Sequence, residues 1–147
     1  MSDCESTEGR LRHSFDVGGR DFSSAGDASS RIKRILQQIG VDPMTVRRIA
    51  VASYEAEMNV VIHADSGKLV LDAGPDCVIL SIEDKGPGIP DIGLAMKPGF
   101  STASDEVREM GFGAGMGLPN MVDCADELEI DSVPDVGTTV KMIFYNR

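Results

Sequence analysis

Between Asp84 and Gly117 the chain is too rich in glycine and proline to continue as one regular element. Gly86, Gly88, Gly93, Gly99, Gly111, Gly113 and Gly115 fall there, together with Pro87, Pro90 and Pro98 and a charged patch from Asp105 to Glu109. Glycine carries no side chain to bias its backbone, and proline removes a backbone donor. A segment of this length inside one compact domain is usually a functional loop or lid. Regular structure must therefore come from the two flanks.

The first flank opens with Leu11 to Val17, whose apolar–polar alternation predicts a strand ended by Gly18-Gly19. From about Asp21 to Gln38 the spacing turns helical, with Ile32, Ile35 and Leu36 on one face and Gly40 placed to cap the C-terminus. Asp42-Pro43 starts a second helix, Asp at the N-cap and Pro in the first turn. Val46, Ile49, Ala50, Ala56 and Val60 carry that helix to about Ala64. Lys68–Asp72 and Cys77–Glu83 read as strands joined by a turn at Gly74-Pro75-Asp76. Beyond the glycine-rich segment, Gly117 to about Asp126 reads as a third helix, and Leu128–Ser132 and Thr138–Tyr145 as a closing hairpin. Strands joined by short turns favour an α+β two-layer sandwich with a mixed, mostly antiparallel sheet and helices on one face. A chain of 147 residues suits one domain. Residues 1–10 are expected to be a disordered N-terminus, and 11–147 a single domain with its lid at about 91–116.

Net charge narrows the partners. A formal charge of −10 and a pI near 4.5 argue against nucleic acid and against docking on an anionic membrane. They leave room for a polyphosphate held by a metal and by backbone N–H groups. No run approaches the roughly 20 apolar residues that span a bilayer, and the N-terminus has no secretory pattern. Cys4, Cys77 and Cys124 are odd in number and widely spaced, which suggests neither a disulfide framework nor a zinc site. Cys77 and Cys124 sit in apolar patterns as core residues, and the cytoplasm is the natural compartment.

Three elements carry chemistry. Glu55, Asn59 and His63 recur at four-residue intervals, so they share one face of the second helix between apolar neighbours. A solvated stripe would show the same spacing. Mg²⁺, however, prefers oxygen and takes only one or two ligands from protein, a role Asn59 fits. Glu55 could then orient a water or accept a hydroxyl proton. Asp84, at a strand end before Gly86 and Gly88, could accept a hydrogen bond from an exocyclic amine such as adenine N6, although a plain turn would look alike. The run Gly111-Phe112-Gly113-Ala114-Gly115-Met116-Gly117 enters a helix N-terminus, where backbone N–H groups suit phosphate oxygens; a lid hinge is the other reading. It is neither the dinucleotide fingerprint nor a Walker A loop.

Taken together, Glu55-x-x-x-Asn59, Asp84-x-Gly86-x-Gly88, Gly111 to Gly117 and Gly137-Thr138-Thr139 resemble the N, G1 and G2 boxes and closing motif of the Bergerat (GHKL) ATP-binding fold. The order and separations match over about 95 residues. Within that superfamily, Glu83 to Asp91, Gly99-Phe100-Ser101-Thr102 and Ile62-His63 are similar to the small bacterial anti-sigma-factor serine/threonine kinases and switch kinases. The resemblance implies ATP and Mg²⁺ as cofactors. It makes Asn59 the metal ligand, Glu55 the general base on a protein hydroxyl, and Asp84 the reader of adenine with Thr138 nearby. It assigns Gly86, Gly88 and Ile89 to the adenine pocket, and Ser101 and Thr102 to the start of the lid. Gly113, Gly115, Met116, Gly117 and Leu118 approach the phosphates, His63 joins the set or caps carbonyls, and Arg108 is a candidate lid cation. The segment Ala103–Met110 departs from the shorter lids of some switch kinases. The implied activity is phosphorylation of a small antagonist protein in partner-switching signalling, with a sigma factor or other regulator as second partner. Oligomeric state stays open between monomer and homodimer. A nucleotide-gated binding regulator with little kinase activity is the alternative. The catalytic half of a histidine kinase ranks lower, since no helix pair bearing an acceptor histidine is present.

Overall fold

The computed structural model describes residues 10–86 and 117–146. Five strands and three α-helices follow one another as β1 (Leu11–Gly18), α1 (Asp27–Gln38), α2 (Pro43–His63), β2 (Ser66–Ala73), β3 (Cys77–Lys85), α3 (Gly117–Cys124), β4 (Glu127–Val133) and β5 (Gly137–Tyr145). The sheet order is β1-β2-β3-β5-β4, and each of these pairings is antiparallel. The expected α+β sandwich is present, and the described strands use no parallel pairing.

Strand alternation decides which side of the sheet meets the helices. Leu69 and Leu71 of β2, Val78, Leu80 and Ile82 of β3, and Val140, Met142 and Phe144 of β5 are buried in one cluster with Ile32, Leu36, Ile49, Ala52, Ala56 and Val60 of the helices. Full burial of a large apolar side chain contributes about 1.5–3 kcal/mol, so this layer is the principal source of stability. Cys77 and Ile79 point to the other face and form a small separate cluster against Ile143 and Tyr145. Cys77 is disulfide-bonded. The number and spacing of the cysteines suggest no disulfide framework, and the Cys77 bond corrects that expectation, because spacing along a chain does not report proximity in space; Cys77 is buried as expected. Arg10, counted with the terminus, is held in place: its Nε donates to Asp72 Oδ1 at 2.6 Å and its Nη2 to the Asp72 carbonyl at 2.6 Å.

The helix limits follow their caps. Asp42 Oδ2 accepts from Thr45 N at 3.1 Å with Pro43 behind it, as the sequence predicts. The α1 helix starts later than its spacing suggests. A 3₁₀ turn at Phe22–Ser24 comes first, with Asp21 Oδ1 accepting from Ser24 N, and Gly26 at φ +96° then breaks the path. Gly26 gives α1 no side-chain cap. The cap comes from α2 instead, where Glu57, 2% exposed, accepts from Ala28 N at 3.2 Å and Ser29 N at 3.1 Å. At its far end Gly40, at φ +83°, lets Val41 N bond back to the Leu36 carbonyl.

Candidate functional site

Helix α2 is the spine of the site, flanked by α1 on one side and α3 on the other. Glu55 and Asn59 are half-buried on the flank that meets α3. The Asn120 amide nitrogen donates to Glu55 Oε1 at 3.4 Å. One turn along, Asn59 lies against Gly117, where an added Cβ would stand 2.9 Å from Asn59 Oδ1 and 3.3 Å from Nδ2. Glycine at 117 is what leaves room for the Asn59 amide.

Arg48 fixes the other end of α3. Its Nη1 donates to the Cys124 carbonyl at 3.0 Å and to Asp126 Oδ2 at 3.3 Å, and its Nη2 to the Tyr145 carbonyl at 3.3 Å. A cation at a helix C-terminus also suits the helix dipole. Burial, then the charge of Asp123, pushes the Cys124 thiol up, so this cysteine is a packing residue, as its apolar pattern suggests.

Asp84 stands near the end of β3 on the helix-facing side, in register with Gly67. Val60 packs on Gly67 so closely that a Cβ there would lie 2.7 Å from its methyl carbon. Asp84 Oδ1 accepts from Thr138 N at 3.0 Å, and Thr138 Oγ1 meets Ser132 Oγ at 2.9 Å. Gly137 permits that approach, since a Cβ would fall 2.0 Å from the Asp84 carbonyl. Burial raises the Asp84 carboxyl above its ordinary value, and the Thr138 N–H opposes the rise. A carboxylate kept half from water, with one oxygen already oriented, is a prepared acceptor for an amine donor.

Two residues bounding segment 87–116 land on the same stretch of α2. Gly86 sits on its last turn, where a Cβ would be 3.0 Å from Ala64 Cα and 3.5 Å from the His63 carbonyl. Gly117 sits on Asn59, one turn earlier. The sequence-predicted Glu55, Asn59, Gly117 and Leu118 thus come together at α2 and α3. Asp84, Gly86 and Thr138 come together at the sheet end beside the last turn of α2. His63 lies in that turn, where burial and then the charge of Arg20 hold its imidazole below its ordinary value. Gly88, Ile89, Ser101, Thr102, Arg108, Gly113, Gly115, Met116 and the lid at 91–116 lie outside the described residues. Sequence reasoning missed Asn120 and Glu57. Asn120 carries no signal in the sequence. Glu57, an acid between apolar neighbours on the inner side of α2, was the visible clue to a buried cap.

The sequence pattern of the histidine kinase-like ATPase domain matches residues 21–144. The chain belongs to that family. Within it, the chain stands with the anti-sigma-factor kinases. It is 32% identical over 119 residues to the serine/threonine-protein kinase RsbT of Bacillus subtilis, covering 78% of this chain and 84% of that protein. It is 37% identical over 116 residues to the anti-sigma F factor of Caldanaerobacter subterraneus subsp. tengcongensis, covering 71% of this chain and 75% of that protein. The fold is similar to the crystal structure of the RsbU and RsbW domains of Rv1364c from Mycobacterium tuberculosis, with a TM-score of 0.56 and 19% identity. That match covers 94% of this chain and 33% of the larger structure.

Among the described residues no group of three His, Cys, Asp or Glu side chains could hold a metal alone. Mg²⁺ does not need one, because it keeps waters and takes phosphate oxygens. The room that Gly117 leaves at the Asn59 amide fits one such ligand.

Proposed function

We propose that this protein is an ATP- and Mg²⁺-dependent serine/threonine kinase of the anti-sigma-factor type, acting in the cytoplasm on a small antagonist protein in a partner-switching pathway. A sigma factor or comparable regulator is its second partner. The observation that carries this reading is the meeting of Glu55 and Asn59 with α3: a carboxylate and an amide one turn apart, one held by Asn120 and the other given room by Gly117.

Bound ATP with Mg²⁺ supplies the phosphoryl group and the counter-charge for its transfer. Asn59 offers its amide oxygen to the metal. Glu55, oriented by Asn120, accepts the proton of the attacking hydroxyl. Asp84 receives the adenine amine, with Thr138 holding its other oxygen. The N–H groups at the start of α3, Gly117 and Leu118, face the phosphates. In this reading Gly86, Gly88 and Ile89 border the adenine, His63 stands at the rim, and Ser101, Thr102, Gly113, Gly115 and Met116 complete the enclosure.

The test uses the purified protein with ATP, Mg²⁺ and the small antagonist proteins encoded beside its gene. Phosphate should reach a serine or threonine of one of them, and Glu55→Ala should lower the rate about a hundredfold or more. Isothermal titration should show ATP binding in Mg²⁺ that Asn59→Ala abolishes. Wild-type protein that binds no ATP would end this reading.

A further inference from the structure

A second feature of α2 lies on its outward side. A groove of about 740 Å³ runs between α1 and α2, and Glu55 lines it. Its floor is apolar, formed by Val41, Val46, Ala50 and Val51. Tyr54 stands beside Glu55 at one end, 40% exposed. Lys33 of α1 and Arg47 of α2 flank the groove, and among the described residues neither forms an ion pair. An apolar floor with an aromatic and an arginine at its border has the composition of a protein-binding surface.

Charge identifies the occupant. The whole chain carries 24 acidic against 14 basic residues. On α1 and α2 the balance is inverted: Arg31, Lys33, Arg34 and Arg47 are exposed, whereas Asp27 is the one exposed acid. In the groove lining itself Lys33 and Arg47 stand against the single carboxylate of Glu55 at its end. With the exposed cations of α1 beside it, this surface favours an acidic partner and disfavours a second copy docked through its own basic helices. From Val41 to Glu55 the groove runs about 20 Å at 1.5 Å per residue, enough for roughly six extended residues or several helical turns.

We infer that the α1–α2 groove docks the phosphorylation substrate, seating an acidic segment with apolar anchors so that its hydroxyl reaches Glu55. The inference rests on the kinase reading and adds the substrate's recognition chemistry to it. The groove ends at the proposed general base, so a segment lying in it delivers its acceptor residue to the reacting end. Docking and chemistry are then separable. Lys33, Arg47 and Val51 govern binding of the protein substrate, whereas Glu55 governs turnover.

The experiment measures steady-state phosphorylation of the antagonist protein encoded beside the gene, together with hydrogen-exchange protection when that antagonist is added. Variants are Lys33→Glu, Arg47→Glu and Val51→Asp, with Lys68→Glu on the far face of the sheet as a charge control. Thermal melting of each variant confirms that it folds. The groove variants should raise KM for the antagonist about tenfold or more while kcat stays within about twofold, and the charge variants should lose their effect at high salt. Lys68→Glu should leave KM unchanged. Glu55→Gln should lose turnover yet keep antagonist protection over the groove. Unchanged KM in folded groove variants, or an equal effect from Lys68→Glu, overturns the inference and leaves the kinase reading standing. Protection of the groove without phosphate transfer keeps the docking surface and removes the kinase reading. Protection that appears in the protein alone as its concentration rises assigns the groove to a second copy and overturns the inference.

Discussion

Asn120 on α3 donates to Glu55 on α2 across 3.4 Å, so the first described element after segment 87–116 touches the proposed base directly. A carboxylate on a long side chain samples several rotamers unless a neighbour holds it. Asn120→Ala should therefore lower kcat several-fold, with little change in KM for ATP. Asn120→Asp should do more, since two carboxylates at that distance resist ionising together. The acid limb of its kcat–pH profile should move to higher pH. A pH–rate series on both variants checks this. Profiles matching the wild type would make the contact merely structural.

Gly117 and Gly86 both lack room for a Cβ, and the two should fail differently. At 117 the clash is with the end of the Asn59 side chain, 2.9 Å away, which can swing aside. Gly117→Ala should cost little stability but weaken Mg²⁺–ATP binding about tenfold by displacing that amide. At 86 the neighbour is the Ala64 backbone at 3.0 Å, which closes α2 and cannot move cheaply. Gly86→Ala should lower the melting temperature as well as affinity. Calorimetry and titration on the pair separate the outcomes.

Much of this was legible in the sequence, and the gaps have physical reasons. Alternation and four-residue spacing gave the five strands, the span of α2 and the Glu55–Asn59 pair, because those patterns are local. The start of α1 was misread at Asp21, since its apolar spacing continues through Gly26 while the backbone there turns to positive φ. Asn120, the Glu57 cap and the pairing of Cys77 depend on which segments meet in space. No window of sequence encodes that. The strand order β1-β2-β3-β5-β4 is of the same kind, because β5 inserts between β3 and β4.

Glu57 makes a prediction about stability alone. It lies two residues from Glu55 but faces inward, and both its oxygens receive N–H groups from the first turn of α1. Glu57→Ala would leave those two buried donors unpaired and the helix uncapped, at a cost of about 2–4 kcal/mol. The melting temperature should fall by roughly 10 °C. Glu57→Gln retains one acceptor oxygen and should cost about half as much. Thermal denaturation of both variants measures the difference. A shift under about 2 °C for the alanine variant would show that α1 does not depend on this cap.

Asp84 sets function against stability. Burial raises its carboxyl in the folded state above the unfolded value, so the folded protein holds this proton more tightly. As pH rises from about 4 through the raised value, the unfolded state gives up its proton first, and stability falls. At neutral pH the ionised side chain is therefore a net cost in the free protein. Asp84→Asn removes that cost and keeps an oxygen for the Thr138 N–H, so its melting temperature at pH 7 should rise by a few degrees. The gain should shrink as pH falls through the raised value, where wild-type Asp84 takes up its proton and the cost of the buried charge disappears. The same substitution places an amide opposite the adenine amine and should weaken ATP binding at least tenfold. In the wild type, ATP affinity should decline as the solution is acidified through the raised value, because protonation removes the acceptor. If Asp84→Asn bound ATP like the wild type across that range, Asp84 would not contact the adenine, and the nucleotide would have to be oriented by other residues.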